Sequence, residues 1–241
     1  MIKKSQLQSV ISKYHLNGLI ESVKWKIKND SLTIDFMSPN RDMIGKVEFD
    51  TFKVKDCELA IFDTTQFNKL LAITSHEILI EPTKTKLLIS DNHYNLQYSL
   101  ADPLLIEKVG SVSEQEYNIE FILSQEQVGS IIKAIEALPN SNTICLKKTE
   151  TIMGNDALEF VFGENQEYAN KIVYPIDDIT LLKETPEFNI PFNSEIFKNI
   201  FRANRDCEGV EVRMNTDGLM KINFSGEDVR SEYFVVRRQD Y

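Results

Sequence analysis

The sequence predicts an α+β protein made of two copies of one unit, each with two helices packed on antiparallel sheets. The first observation is a repeated helical text. Phe62 to Leu71, FDTTQFNKLL, returns as FNSEIFKNIF from Phe192, 130 residues on (192 − 62). Both copies have an aromatic, a polar N-cap (Asp63 or Asn193) with a hydroxyl residue beside it, and an aromatic five residues after the first. Both then continue with two apolar residues. The second observation is that apolar residues alternate with polar ones through most of the remaining chain, the period of half-buried strands. The third is that the order helix, three strands, strand, helix, three strands occurs twice. A repeat of that length has to be explained before any single residue.

Taken in order, the first helix is predicted from about Lys3 to Tyr14, with Leu7, Val10, Ile11 and Tyr14 as its buried stripe, and Asn17-Gly18 stops it. Strands follow around Trp25, Ile34 and Val47, separated by turns at Asn29-Asp30 and Ser38-Pro39-Asn40. A strand from Cys57 to Phe62 leads into a helix at about 64–75, and strands at 78–81, 86–91 and 94–100 complete the first copy. Leu104 to Glu116 has no period and reads as an extended connector. The domains are therefore expected at 1–103 and 117–241, joined by 104–116. The second copy opens with a strand at 117–123 and a helix capped by Ser124, whose stripe is Val128, Ile131, Ile132 and Ile135. Strands are predicted at 143–148, 157–162, 171–176 and 188–191. The helix from Phe192 to Arg205 comes next, and strands at 210–214, 219–224 and 231–237 close the chain.

Charge is distributed unevenly. The chain has 27 basic and 37 acidic residues, a net charge of −10, which argues against a protein that coats nucleic acid or an anionic membrane with its whole surface. Its cations nevertheless gather on the predicted helices and its anions on strands and loops. On the helix at 192–205, Lys198, Arg202 and Arg205 fall opposite the stripe of Ile196, Phe197, Ile200 and Phe201, and Lys69 does the same in the upstream copy. Lys3, Lys4 and Lys13 on the first helix and Lys133 on the third extend the set. Glu126 and Glu136 dilute it.

Little supports catalysis. His15, His76 and His93 are isolated, Gly154 and Gly163 read as turn residues rather than parts of a phosphate loop, and Asp177-Asp178 reads as an acidic turn. Cys57, Cys145 and Cys207 are far apart and odd in number, so reduced thiols are expected. No metal, cofactor or catalytic residue is predicted. No apolar run reaches a membrane span, and MIKKSQLQSV lacks the apolar core of a signal peptide, so a cytoplasmic protein without membrane partners is expected.

With this layout in hand, the chain resembles a DNA sliding clamp, and specifically the processivity clamp of T-even-type bacteriophages. The local text that carries the resemblance is Glu58-Leu59-Ala60-Ile61-Phe62-Asp63, the exit Tyr98-Ser99-Leu100-Ala101-Asp102-Pro103, and the closing Tyr233-Phe234-Val235-Val236. The resemblance implies a β-α-β-β-β order twice per domain and two domains per subunit. It further implies three subunits closed head to tail into a ring whose helices line the hole, in the host cytoplasm if phage-encoded. The implied partners are double-stranded DNA without sequence preference, a DNA polymerase, an AAA+ clamp loader and the chain itself as a homotrimer, with a role in viral transcription open. DNA-facing residues would be Lys3, Lys4, Lys13, Lys69, Lys133, Lys198, Arg202 and Arg205. Clamps also bind partner peptides in an apolar pocket under the connector, which implies Val109, Val112, Tyr117 and Tyr241 here. Subunit contacts are expected at Lys86–Asp91 or its neighbour in the first domain and at a strand of 143–162 in the second. The competing readings are a β-rich virion protein that forms a ring or tube, which has no need of cationic helices, and an enzyme on a duplicated scaffold, which would need a polar cluster that the sequence does not supply.

Overall fold

The computed structural model describes residues 1–113, 115–150, 156–163, 169–183 and 187–239. The chain forms two compact units, one of Met1–Ser111 with Gly226–Ser231, the other of Val112–Ser225 with Glu232–Tyr241. The first unit contains β1 (Ile2–Lys3), α1 (Lys4–His15), β2 (Val23–Lys28), β3 (Ser31–Met37), β4 (Met43–Phe49), β5 (Cys57–Ile61), α2 (Thr64–Ala72), β6 (Glu77–Pro82), β7 (Lys86–Ser90) and β8 (Asn95–Ser99). The second contains β9 (Ile119–Ser124), α3 (Gln125–Ala137), β10 (Thr143–Glu150), β11 (Asp156–Phe162), β12 (Ile172–Ile176), β13 (Ile179–Leu182), β14 (Asn189–Asn193), α4 (Ser194–Ala203), β15 (Gly209–Met214), β16 (Leu219–Ser225) and most of β17 (Val229–Val236).

Strand order shows that the units are copies. In the first, β1-β6-β7-β8 and β5-β2-β3-β4 are neighbours; in the second, β9-β15-β16-β17 and β14-β10-β11-β12 take the same places. All described pairings are antiparallel. The sequence did not predict the two-residue β1, which pairs Ile2 with Ile78, or the four-residue β13, which is added outside β9 with a register shift. Both are too short to show alternation.

Local chemistry explains most element ends. Leu16, Asn17 and Gly18 all take positive φ, so α1 unwinds there. Asn29 and Asp30, at φ 53° and 60°, form the two-residue turn that fixes the β2–β3 register. Gly45 lies opposite Phe36 in the β3–β4 ladder, and a Cβ there would come within 2.3 Å of the buried Phe36 ring. The aromatic takes the space that a side chain at 45 would need.

The turn between β7 and β8 is built on Asp91. Its carboxylate accepts from Ser75 Oγ (2.6 Å), Ser75 N–H (2.5 Å), His93 N–H (2.7 Å) and Tyr94 N–H (2.6 Å). The Ser75 hydroxyl and then the backbone donors hold this carboxyl well below its usual range. A depressed folded-state value stabilises the fold fully above the unfolded value of about 3.9, and less as the pH falls below it. Amide protection of His93 and Tyr94 is therefore expected to stay flat from pH 7 to about 4 and to decline progressively below. Asp91→Asn should lower the plateau and remove the step. A loss that began near pH 6 in the wild type would contradict this assignment.

Each unit has an aromatic core. In the first, Trp25 meets Phe52 and Phe67 edge-on, with ring centroids at 6.0 and 5.5 Å, and Phe67 meets Tyr98 at 5.0 Å. In the second, Phe197 of α4 lies 6.3 Å from Phe160, 5.7 Å from Phe192 and 5.6 Å from Phe201. The repeated text does not place its first aromatic alike. Phe192 is buried and Phe62 is 57% exposed. Pairing in β14 continues through Phe192 to Asn193, whereas β5 stops at Ile61 and leaves Phe62 outside the sheet.

Candidate nucleic-acid interface

Of the helices that carry the cations, α2 and α4 are fixed at both ends and α3 at its start. Asp63 caps α2 by accepting from Gln66 N–H at 2.7 Å. Asn193 caps α4 through Glu195 N–H at 3.0 Å, and Ser124 and Gln127 form a reciprocal capping box on α3. Inside each unit the helices are clasped by equivalent residues. Lys4, the first residue of α1, donates its ammonium to Thr74 O and, at 3.4 Å, to Ala72 O after α2. Gln125, the first residue of α3, donates Nε2 to Cys207 O and, at 3.4 Å, to Asn204 O after α4. Both clasps reach carbonyls at or just beyond the end of the second helix of the unit.

The structure sorts the eight predicted DNA-facing residues into three kinds. Lys3, Lys69, Lys133 and Arg205 are exposed and have no ion-pair partner among the described residues, which leaves one open cation at or beside each helix. Lys198 pairs with Glu195 one turn away, and Arg202 pairs across to Glu136 of α3. The last two are corrections. Lys4 is engaged in the clasp with the end of α2. Lys13, expected on an outer flank, is 1% exposed, because the buried face of α1 is wider than its apolar stripe and takes in the whole lysine side chain.

Strand cations are arranged differently. Lys26 meets Asp35 at 2.8 Å, Lys46 meets Glu48 at 2.5 Å, Arg213 meets Glu211 at 2.6 Å, and Lys221 pairs with Glu232. Most strand cations are neutralised in this way, while Lys28 of β2 and Lys86 of β7 meet no acid among the described residues; the helices leave a share of their cations open as well.

The connector begins with a turn at Pro103–Leu105, where Asp102 accepts from Leu104 N–H at 2.9 Å. Leu104 and Leu105 are 88% and 71% exposed, and Ile106 is buried. Sequence reasoning missed these two leucines, since nothing periodic marks them. Val109, predicted to lie near an apolar pocket, does line a cavity of about 350 Å³, but its other walls are Lys24, Lys26, Asp35, Glu58, Glu107 and Lys108. That correction has a simple cause: the connector crosses the polar face of β2, β3 and β5, held by an Arg41–Glu107 pair at 2.7 Å. Val112 and Tyr117 are half-buried in the second unit. Burial, and then the Glu232 carboxylate, raises the Tyr117 phenol above its ordinary value. Tyr241 lies outside the described residues, as does the predicted turn glycine Gly154. No helix among the described residues is long and apolar enough to cross a membrane.

Two copies of a unit with paired helices and two four-stranded sheets define the sliding-clamp class of fold. Solved structures of proliferating cell nuclear antigen (PCNA) share that fold over nearly the whole chain. The A. fulgidus protein bound to the C-terminal region of FEN-1 superposes with a TM-score of 0.77 at 15% identity, covering 100% of this chain and 98% of that one. The Entamoeba histolytica protein gives 0.75 at 12% identity, with 98% and 96% covered. A PCNA2–PCNA3 complex from Sulfolobus tokodaii gives 0.72 at 13% identity, with 98% of each chain covered. No family model matches the chain, and no curated protein matches its sequence.

Proposed function

We propose that this chain is a non-catalytic sliding clamp that encircles duplex DNA and tethers a DNA polymerase, with the phage type favoured by the local text at 58–63, 98–103 and 233–236. The observation that carries the reading is an open cation at or beside each of the four helices of a duplicated clamp fold, most of whose other strand cations are paired with carboxylates. A ring that slides cannot read bases, since base contacts would pin it; it needs diffuse positive potential that meets phosphates without sequence preference. Lys3, Lys69, Lys133 and Arg205 supply that potential, with Lys198 and Arg202 behind their carboxylates. The acidic remainder keeps DNA off the other surfaces.

The internal repeat also points to how copies would join. The counterpart of β4 in the second unit is β12, and the counterpart of β17 in the first is β8; both are open edges among the described residues. Head-to-tail pairing of β8 with β12 of another copy would join these two edges and close a ring of three. On the first unit this selects the neighbour of the 86–91 strand, because β7 itself is flanked on both sides. On the second it moves the contact out of 143–162, because β10 and β11 are flanked as well. The exposed Leu104-Leu105 turn is the surface we assign to polymerase and loader segments, with Val112 and Tyr117 of the second unit as further candidates.

Native mass measured across a dilution series tests the reading. A three-subunit species that dissociates only on dilution is expected. A monomer at every concentration would remove the mechanism, since an unclosed subunit cannot encircle DNA.

A further inference from the structure

Every cation on a DNA-lining helix would be expected to stay open, yet Arg202 of α4 is bound to Glu136 of α3. Fold stability does not explain that carboxylate. Both side chains are about two-fifths exposed (42% and 41%), and exposed pairs of this kind contribute little. Glu136 also sits in the last turn of α3, where the helix dipole disfavours an acid and where the turn itself holds no basic residue. Glu195, the partner of Lys198, differs in both respects. It lies in the first turn of α4, where an acid is favoured, and one turn from its lysine.

We propose that Glu136 is a built-in competitor for DNA phosphate that holds Arg202 in reserve and keeps its contact with the duplex brief; this rests on the clamp reading. A guanidinium accepts a carboxylate or a phosphate through the same forked geometry. A phosphate reaching Arg202 therefore exchanges one pair for another and leaves a carboxylate facing the DNA backbone. The net gain is small, and the carboxylate recaptures the arginine as the phosphate moves on. Lys69, Lys133 and Arg205 provide steady attraction, and Arg202 provides a contact that is made and broken with each step.

Glu136→Gln tests the idea, because it keeps the shape and removes the charge. The probe is a fluorescent duplex of about 30 base pairs, titrated at salt concentrations from about 50 to 200 mM, with Arg202→Gln and the double variant beside it. Glu136→Gln is expected to bind about three- to tenfold more tightly at the low-salt end, with a salt slope steeper by about one phosphate, and with an unfolding midpoint equal to or above that of wild type. Arg202→Gln should bind more weakly, and the double variant should match it. If Arg202→Gln weakens binding and Glu136→Gln leaves it unchanged, the competitor role is overturned and the DNA-facing reading stands. If Glu136→Gln tightens binding equally without Arg202, the effect is general charge and the pair is not its cause. If neither variant alters binding, the DNA-facing placement of α4 fails with it.

Discussion

Changing Lys69, Lys133 and Arg205 together to glutamate is expected to abolish retention on duplex DNA and stimulation of polymerase, while native mass and unfolding midpoint stay at wild-type values. All three side chains are exposed and have no ion-pair partner among the described residues, so reversing them breaks no ion pair described there. Surface substitutions of that kind usually alter stability by about 0.5 kcal/mol or less. The electrostatic effect is far larger. Three reversals of two charges each alter a subunit by six, and every phosphate no longer neutralised takes about 0.9 from the salt slope. The choice of residues matters. Lys198 and Arg202 are already partly neutralised by Glu195 and Glu136, so reversing those two mixes weaker DNA attraction with broken pairs. Lys4 and Lys13 are unsuitable, because Lys4 ties α1 to the end of α2 and Lys13 is buried. Full retention of a loaded, circular template by the triple variant would sink the DNA-facing assignment.

Phe197→Ala is expected to cost about 3–5 kcal/mol of folding stability, read as a lower denaturant midpoint at an unchanged slope. The ring is fully buried and meets Phe160, Phe192 and Phe201, which places it between α4, β11 and β14. The neighbours are held by the ladder and by the helix, so they cannot collapse into the vacated space, and the cavity term is retained. Phe62→Ala is the matched control. Phe62 opens the upstream copy of the same text, yet it is mostly exposed, so its removal should alter stability by well under about 1 kcal/mol. Equal costs at the two sites would contradict that difference in burial.

What the residues determined alone lies within a few positions along the chain. The apolar stripe of α4, the caps at Asp63, Ser124 and Asn193, and the Asn29-Asp30 turn each follow from side chains and backbone groups one to four residues apart. Because those local signals recur in the same order, the duplicated α+β plan was legible as well. Tertiary structure alone decided which charges are open. Arg202 finds a partner 66 positions away and Lys4 one 70 positions away, so no helical wheel could separate them from Lys69 and Arg205. It also decided that Lys13 lies inside, that β8 and β12 are edges while β7 and β11 are not, and that Phe62 faces out where Phe192 faces in. Periodicity specifies which face of an element is apolar. How much of that face is covered, and what each charge meets there, depends on elements brought together only by folding.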